Sequence, residues 1–249
     1  MQIEGSKIVV TGGASGIGKG MCERFAALGA SVVVADLDDG GAQAVAEAIG
    51  GTAVTCDVAD QESITSLVES AIATMGHIDL FCANAGVGVG GGLDAPLQLW
   101  DLNLAVNVMG PVHAARSVIP HMERRGGGSL MITGSAAGLI TGPVSFNYAV
   151  SKHAAVGVAE WLAINHGPQI KVSCLCPTIV DTPMIDHFGQ GMVEPLTVDE
   201  VVDAVVDGLA DERFLILPSP QPLGMFQMKA QDYDGFIAGV QQRLAAMRG

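Results

Sequence analysis

Short apolar runs alternate with longer amphipathic segments along the whole chain. Apolar runs of this length are typical of buried strands, and apolar positions that recur every three or four residues are typical of helices. Strands are predicted at residues 7–11, 31–35, 52–56, 78–82, 129–133, 170–175 and 214–217, and helices at 16–28, 40–49, 60–75, 96–123, 148–166 and 197–211. The alternation predicts an α/β fold with a doubly wound, seven-stranded parallel sheet and helices on both faces.

The chain is predicted to form a single domain over residues 1–249. No repeat or low-complexity linker interrupts the alternation, and the glycine-rich stretches at 86–92 and 126–128 lie where loops are expected. Residues 218–249 are less regular, because a stretch rich in proline and methionine precedes a terminal helix predicted at about 233–247. We interpret this part as a C-terminal extension of the same domain.

Composition narrows the classes of protein and partner. Hydrophobic residues make up 49% of the chain and charged residues 15%, which is enough apolar surface for a large core. The formal charge of -14 repels phosphate backbones and anionic lipids, so neither nucleic acid nor a membrane is expected as a partner. No apolar run approaches the roughly 18 residues of a membrane span, and no secretory leader is recognisable. A soluble, cytoplasmic protein is therefore expected.

The cysteines predict neither a metal site nor a redox centre. The chain has five, at positions 22, 56, 82, 174 and 176, and none forms a Cys-x-x-Cys pair. Those at 56, 82, 174 and 176 lie in apolar runs, where free cysteines are usually buried. We predict buried thiols and no metal.

A glycine-rich turn follows the first predicted strand, in the sequence Thr11-Gly12-Gly13-Ala14-Ser15-Gly16-Ile17-Gly18. Glycine tolerates the φ angles of such a turn and lets the main chain approach a pyrophosphate, which rests on the positive N-terminal end of the next helix. By itself the turn is equally compatible with an ordinary tight turn. Asp36, which ends the second predicted strand, favours a dinucleotide site because an acid at this distance can accept hydrogen bonds from both adenosine ribose hydroxyls.

The same acid distinguishes NAD from NADP. Its carboxylate repels a 2′-phosphate, and neither Ala14, Ser15 nor Leu37 supplies the arginine or lysine that NADP usually requires. Lys19 is the nearby cation, and it lies past the turn on the helix. NAD is predicted, and the alternative is that Asp36 is a solvated acid at the start of an acidic loop.

Tyr148 and Lys152 are candidate catalytic residues. They lie four residues apart on a predicted helix, so their polar ends share one face. A free phenol has a pKa of about 10, and a nearby ammonium favours the phenolate, so Lys152 is expected to lower the pKa of Tyr148. A surface pair with this spacing is common on helices. Ser135 favours the catalytic interpretation, because it follows the fifth predicted strand at the sheet edge where open α/β folds bind ligands.

Together these motifs resemble the short-chain dehydrogenases. Thr-Gly-x-x-x-Gly-Ile-Gly is similar to the family's fingerprint, Tyr-x-x-x-Lys matches its catalytic pair, and Ser135 precedes the tyrosine at the family's spacing. The resemblance extends from Lys7 to about Thr182. It implies a Rossmann-type fold and identifies Asn107 as a fourth catalytic residue, which holds a water near the lysine.

The resemblance also implies which residues bind NAD. They lie in the glycine-rich turn, at the ends of the second, third and fourth strands, on the catalytic helix, and in the turn over the nicotinamide carboxamide. The set is Gly12, Ser15, Gly16, Ile17, Gly18, Asp36, Leu37, Asp57, Val58, Asn84, Ala85, Gly86, Tyr148, Lys152, Pro177, Val180 and Thr182. Two residues depart from the family pattern. Ala83 replaces an asparagine, which is expected to weaken an inter-strand hydrogen bond, and Thr178 replaces a glycine, which is expected to stiffen the turn.

The implied activity is NAD-dependent interconversion of a secondary alcohol and a ketone. In oxidation, Tyr148 takes the alcohol proton while hydride leaves the same carbon for C4 of the nicotinamide. Ser135 steadies the oxyanion, Lys152 tunes the tyrosine and binds the nicotinamide ribose, and Asn107 relays protons. Two alternatives are a non-catalytic NAD-binding sensor or scaffold, which generally lacks the tyrosine or lysine, and a sugar-nucleotide epimerase or dehydratase, which needs a larger C-terminal domain.

The substrate site is expected to have apolar walls, formed by residues 87–97, 136–146 and a loop at 183–196, with 223–228 folding over its mouth. No arginine or lysine occurs in these segments, so a neutral, hydrophobic alcohol or ketone is predicted. Alternatively, their methionines and leucines pack against the terminal helix. The resemblance further implies a homodimer or homotetramer that pairs the helices at 96–123 and 148–166, although the chain lacks the Asp-Gly-Gly ending of many tetrameric members.

Overall fold

The computed structural model describes residues 1–142, 145–184 and 194–248. Within these residues seven strands form one sheet: β1 Lys7–Thr11, β2 Ser31–Asp36, β3 Thr52–Thr55, β4 Leu80–Ala83, β5 Gly128–Thr133, β6 Ile170–Leu175 and β7 Leu215–Ile216. All neighbouring strands are parallel, in the order β3-β2-β1-β4-β5-β6-β7. The predicted doubly wound parallel sheet is confirmed.

Nine helices lie in the same described ranges: α1 Gly16–Ala27, α2 Asp39–Ile49, α3 Gln61–Met75, α4 Leu97–Leu104, α5 Gly110–Arg124, α6 Phe146–His166, α7 Val198–Ala210, α8 Gln221–Gln231 and α9 Tyr233–Arg248. They cover both faces of the sheet. Successive residues of a strand point to opposite faces, so neighbouring residues of β1 contact different helices. Ile8 and Val10 pack with α1, α2 and α7, whereas Val9 packs with α3, α5 and α6. Two apolar cores therefore enclose the sheet.

The strand order reverses at β1, which has β2 on one side and β4 on the other. In open α/β sheets ligands bind outside the carboxyl ends of the strands at such a point. The glycine-rich turn leaves the end of β1 here, and Asn84 follows the end of β4. The fold thus brings the predicted cofactor and catalytic residues to one edge of the sheet.

Three elements differ from the prediction. The single helix predicted at 96–123 is divided into α4 and α5 by a π-helical turn at Ala105–Met109, a feature frequently found at functional sites. Helix α6 begins at Phe146 instead of Tyr148, because the Ser145 hydroxyl caps it by accepting a hydrogen bond from the Tyr148 amide. Residues 221–231, which were predicted to be irregular, form helix α8.

The predicted burial of the thiols at positions 56, 82, 174 and 176 is confirmed, and Cys22 is buried as well. In the part of the chain that the structure describes, no helix has the length and apolarity to cross a bilayer.

Candidate active site

The glycine-rich turn joins β1 tightly to α1. Gly12 and Gly16 have φ angles of +68° and +51°, which other residues rarely adopt. A Cβ at Gly18 would lie 1.9 Å from the carbonyl oxygen of Gly12, so the helix packs directly on the turn. Ser15, at the helix N-cap, makes no capping hydrogen bond with its side chain. Within the described residues the first amides of α1 are thus not capped by Ser15, an arrangement that fits the pyrophosphate of NAD.

Asp36 lies beside this turn. Its carboxylate accepts hydrogen bonds from the Ala14 amide at 2.9 Å and from the Asp38 amide at 3.0 Å, so it is fixed where an adenosine ribose would reach it. Leu37, the next residue, is 69% exposed and contributes no charge. Lys19 pairs with Glu23 at 3.8 Å on the surface of α1. The cation nearest in sequence is thus paired with an acid and not directed at a 2′-phosphate.

Asn84 ties three strand ends together. Its side chain donates to the Thr11 carbonyl over 3.0 Å and accepts from the Thr133 hydroxyl over 3.0 Å, so it bridges β1 and β5 from the end of β4. The Thr11 hydroxyl also accepts from the amides of Asn84 and Ala85. Ala83 is buried among apolar side chains. The inter-strand bonds at this site are therefore supplied by Asn84 and Thr11.

The predicted adenine side of the site lies at the end of β3. Asp57 is exposed there, and its carboxylate accepts a hydrogen bond from the Ala59 amide at 2.9 Å. Val58 is buried, and its carbonyl contacts the His113 ring at 3.1 Å. Asp57 is thus exposed to solvent, whereas Val58 is covered by neighbouring residues.

The segment after β6 returns to the glycine-rich turn. The Pro177 carbonyl accepts from the Ala136 amide at 2.8 Å, and a Cβ at Gly16 would lie 3.1 Å from a methyl of Thr182. Val180, between them, is buried and pairs with Leu196. Among the described residues, Glu212 is the non-glycine residue with a positive φ angle. Thr178 therefore does not adopt a positive φ angle, and its expected stiffening of the turn stays a prediction.

The catalytic candidates converge at the start of α6. Tyr148 is half-buried and shares a hydrogen bond with the buried Ser135 side chain. Lys152, one turn later, is 4% exposed, and its Nζ lies 5.8 Å from the centre of the Tyr148 ring. The Lys152 ammonium donates to the Thr133 carbonyl over 2.9 Å. A phenol, a hydroxyl and an ammonium thus lie together at the end of β5.

Burial dominates the acid–base properties of this pair. It raises the pKa of Tyr148 above its ordinary value, and the hydrogen bond from Ser135 offsets only part of that effect. Burial also lowers the pKa of Lys152 to about 8. The expectation of a lowered Tyr148 pKa is therefore wrong for the protein chain alone, because desolvation of the phenolate dominates the shift.

Asn107 lies on the π-helical turn and is buried. Its side chain accepts from the Val87 amide at 2.9 Å and donates to the Val87 carbonyl and the Ser151 hydroxyl, each at 3.0 Å. A Cβ at Gly86 would lie 3.2 Å from Asn107 Oδ1 and 3.4 Å from Lys152 Nζ, so both side chains flank Gly86. Asn107 fixes the loop after β4 directly beside the lysine.

Comparison with known proteins identifies this arrangement. A family model described as short chain dehydrogenase matches residues 6–192. The chain belongs to this family. It is 37% identical over 226 residues to 1-deoxy-11-beta-hydroxypentalenate dehydrogenase of Streptomyces arenae, a match that covers 84% of this chain and 80% of the relative. It is 34% identical over 226 residues to the mitochondrial borneol dehydrogenase of Lavandula x intermedia, covering 85% and 86% of the two chains.

A solved structure of the same family superposes on this chain. The crystal structure of a short-chain dehydrogenase/reductase from Burkholderia phymatum in complex with NAD superposes with a TM-score of 0.85 at 28% identity, covering 94% of this chain and 96% of the other. The protein is an NAD-dependent oxidoreductase that interconverts an alcohol and a ketone.

The walls of the dehydrogenase's substrate site are described in part. The Phe146 amide donates to the Gly91 carbonyl at 3.0 Å, and the Phe146 ring meets Trp100 edge to face at 4.9 Å. The predicted walls at 87–97 and 136–146 thus meet at the start of α6. Residues 143–144, and residues 185–193 of the predicted loop, lie outside the described residues.

Sequence reasoning missed three residues of this dehydrogenase's site. The Thr133 carbonyl binds Lys152, but a main-chain acceptor leaves no signal in the sequence. Cys174 and Cys176 have their sulfurs 3.7 Å apart beneath Gly134, where a Cβ would lie 3.1 and 3.0 Å from them. A hydrogen bond from Cys174 and the charge of Lys152 lower the pKa of Cys176, and burial opposes them. The Cys-x-Cys spacing at the end of a predicted strand could have indicated that both thiols share one face.

Proposed function

We propose that this dehydrogenase oxidises a neutral, hydrophobic secondary alcohol, or reduces the matching ketone, with Tyr148 as the proton-transferring residue. The observation that carries the proposal is the hydrogen bond between Tyr148 and Ser135, with the Lys152 ammonium buried one turn away. Alcohol oxidation requires a base at the hydroxyl and a donor for the developing oxyanion. Tyr148 and Ser135 meet both requirements at one point.

We propose that NAD binds along the edge of the sheet formed by the strand ends. The turn residues Gly12, Ser15, Gly16, Ile17 and Gly18 bind the pyrophosphate; Asp36 and Leu37 contact the adenosine ribose; Asp57 and Val58 contact the adenine; Asn84, Ala85, Gly86, Pro177, Val180 and Thr182 line the nicotinamide half. When bound, NAD exchanges hydride at C4 of its nicotinamide ring. The supporting observations are the amides at the start of α1 and the fixed carboxylate of Asp36.

The chemistry of the chain's own residues follows from their burial. In oxidation the Tyr148 phenolate accepts the alcohol proton, and in reduction the phenol returns it to the oxygen. Ser135 donates to the oxyanion, while Lys152 favours the phenolate and donates to the nicotinamide ribose. Asn107 orients the loop beside Lys152 and relays protons to it. Because burial raises the pKa of Tyr148, a further positive charge in the site is required to bring it into the working range.

The substrate class is inferred from the apolar walls. Residues 87–97 and the described parts of 136–146 contain no arginine or lysine, and the aromatic pair Trp100 and Phe146 adds a rigid apolar surface. A ligand carboxylate would therefore lack a charged partner in these walls. The names of two relatives, which refer to a hydroxypentalenate and to borneol, both denote a substrate with a hydroxyl group. Borneol is neutral, whereas a pentalenate carries a carboxylate, so the proposed neutral class follows the borneol relative and the absence of cations in the described walls.

The test is a panel of aliphatic, aromatic and ring alcohols, with NAD reduction followed by absorbance. Neutral hydrophobic secondary alcohols should support turnover with NAD, and carboxylated analogues should be poorer substrates. The Lys171→Met variant is the control, because Lys171 is exposed near the start of β6, at the opposite end of the strand from the site. It should turn over the same alcohols at the same rates as the native enzyme. If no neutral secondary alcohol or ketone reacts while NAD still binds, the proposed substrate class is wrong and the proposal fails.

We also propose that the dehydrogenase forms a homodimer through α5 and α6. These helices border an open apolar groove of about 720 Å³, lined among others by Ala115, Ile119, Gly157 and Trp161. Trp161 and Ile164 are 59% and 79% exposed on α6, and burying such side chains against a second copy favours association. Sedimentation should give a dimer for the native chain and a monomer for Trp161→Glu. A native monomer would exclude this interface.

We propose the cytoplasm as its location. Five free, buried thiols agree with a reducing compartment, in which disulfides rarely form. Fractionation of the source cells, with NAD-dependent activity followed in each fraction, tests this location. Activity confined to another compartment would contradict it.

A further inference from the structure

A lysine is buried where helix α8 meets the body of the protein. Pro222, Met225 and Lys229 follow one another at the spacing of one helix face, and this face points inward. Pro222 and Lys229 are buried, and Met225 is half-buried. Lysine is rarely buried unless it has a partner, and an apolar residue would be expected here. The lysine therefore requires a specific explanation.

Lys229 has two partners among the described residues. Its ammonium donates to the Leu139 carbonyl over 2.9 Å and lies 5.3 Å from the centre of the Tyr233 ring. Within the same residues no carboxylate forms an ion pair with it. Its charge is thus directed at a main-chain oxygen and an aromatic face, both of which attract cations.

Leu139 belongs to the segment that carries Ser135. Ser135 caps the 3-10 turn Ala136–Gly138, and Leu139 ends that turn. This segment is tightly held, because Ala136 donates to the Pro177 carbonyl and a Cβ at Gly138 would lie 2.5 Å from the Lys152 carbonyl oxygen. The Ser135 segment is therefore held independently of α8 and offers a fixed carbonyl to which Lys229 attaches the helix.

The apolar side chains of α8 are only partly covered. Leu223, Phe226 and Met228 are 42%, 38% and 55% exposed. They flank the inward stripe of Pro222, Met225 and Lys229. Helix α8 thus carries apolar surface beside the wall that holds Ser135, and the Lys229 hydrogen bond joins the two.

We propose that Lys229 is a positioning residue that fixes α8 against the Ser135 segment, so that Leu223 and Phe226 form the outer wall of the substrate site and favour bulky apolar alcohols. This inference rests on the proposed function. In this proposal a small alcohol contacts Tyr148 and Ser135 alone, whereas a ring alcohol also contacts the apolar side chains of α8. Lys229 therefore affects substrate selection more than the chemical step.

The test replaces Lys229 with methionine, which keeps the chain length and removes the charge and the donor. For a bulky ring alcohol the KM of Lys229→Met should rise by about tenfold, the scale of losing one charged hydrogen bond. The KM for 2-propanol and the Kd for NAD should stay unchanged, and amide exchange should accelerate over residues 221–231. Lys229→Arg, which keeps a donor, should restore the selectivity, and Lys171→Met is the matched exposed control.

Equal changes for both alcohols, or unchanged KM and unchanged exchange, would overturn the proposal. If Lys229→Met does not fold, Tyr233→Leu removes the aromatic partner from an exposed position and should raise the KM for the ring alcohol alone. If the native enzyme turns over no alcohol, the proposed function fails. The exchange measurement over α8 then decides separately whether Lys229 fixes this helix.

Discussion

The Lys152 ammonium donates a hydrogen bond to the Thr133 carbonyl, with 2.9 Å between the two atoms. Thr133 is the last residue of β5, and its hydroxyl donates to Asn84 at the end of β4. The residue that fixes the lysine is therefore also tied to the strand end beside the cofactor turn. The catalytic pair and the proposed NAD site share one rigid support.

Ultraviolet titration should show that Tyr148 ionises above pH 10 in the protein alone, because burial raises its pKa above the ordinary value of about 10. The chain has two tyrosines, so the difference between the native protein and Tyr148→Phe isolates this residue. Saturating oxidised NAD should lower the midpoint, since a positive nicotinamide ring favours the phenolate. The oxidation rate should then rise with pH up to that midpoint, and the reduction rate should fall. A midpoint below pH 10 without NAD contradicts the effect of burial.

Lys152→Met should be more stable than the native protein below pH 8 while losing activity. Burial lowers the pKa of Lys152 from 10.5 to about 8, so the folded state binds the proton less tightly than the unfolded state. The penalty on folding is complete below pH 8 and is lost as pH rises to about 10.5. This penalty corresponds to roughly 3 kcal/mol at most. The stability gained by Lys152→Met is smaller than that, because the variant leaves the Thr133 carbonyl without its hydrogen bond. Denaturant unfolding at pH 7 and pH 10 measures the difference in the free energy of unfolding between Lys152→Met and the native protein. A difference that grows as pH rises would refute this assignment.

Asp36→Ala should weaken NAD binding and strengthen NADP binding. The carboxylate offers charged hydrogen bonds to the ribose, whose loss corresponds to about tenfold or more in Kd. Its removal also eliminates repulsion of the 2′-phosphate. Calorimetric titration of both nucleotides measures the two effects, with Asp199→Ala at the exposed start of α7 as a control. Tighter binding of NADP than of NAD by the native protein would contradict the assignment.

Gly18→Ala should reduce NAD affinity by about tenfold or more, because the packing of α1 on the turn fixes the amides that are proposed to bind the pyrophosphate. The added Cβ would lie 1.9 Å from the Gly12 carbonyl oxygen, so the turn must move. Gly239→Ala on α9 has nothing within 4 Å of its Cβ and is the matched control. Unchanged affinity in Gly18→Ala would mean that the turn does not bind the cofactor.

The sequence predicted those features that depend on side-chain pattern. Alternating apolar runs gave the strands, and the four-residue spacing of Tyr148 and Lys152 brought both to one helix face. The direction of the shift in the Tyr148 pKa was predicted wrongly, because desolvation of the phenolate depends on all the residues packed around the ring. The roles of Thr133 and Leu139 could not be predicted, since both act through main-chain carbonyls. Helix α8 was missed because proline and glycine weaken its pattern.

The central claim is that Tyr148 transfers the proton with the help of Ser135, and single-turnover reduction of NAD by the best alcohol tests it most directly. Tyr148→Phe should lower this rate by about 10³-fold or more, and Ser135→Ala by about 10²-fold, the scales of losing an acid–base group and one oxyanion donor. Both variants should bind NAD with a nearly intact Kd, because each loses a single hydroxyl and the other NAD-binding residues remain. Retention of the native rate by Tyr148→Phe would contradict the account and assign the proton transfer to another residue.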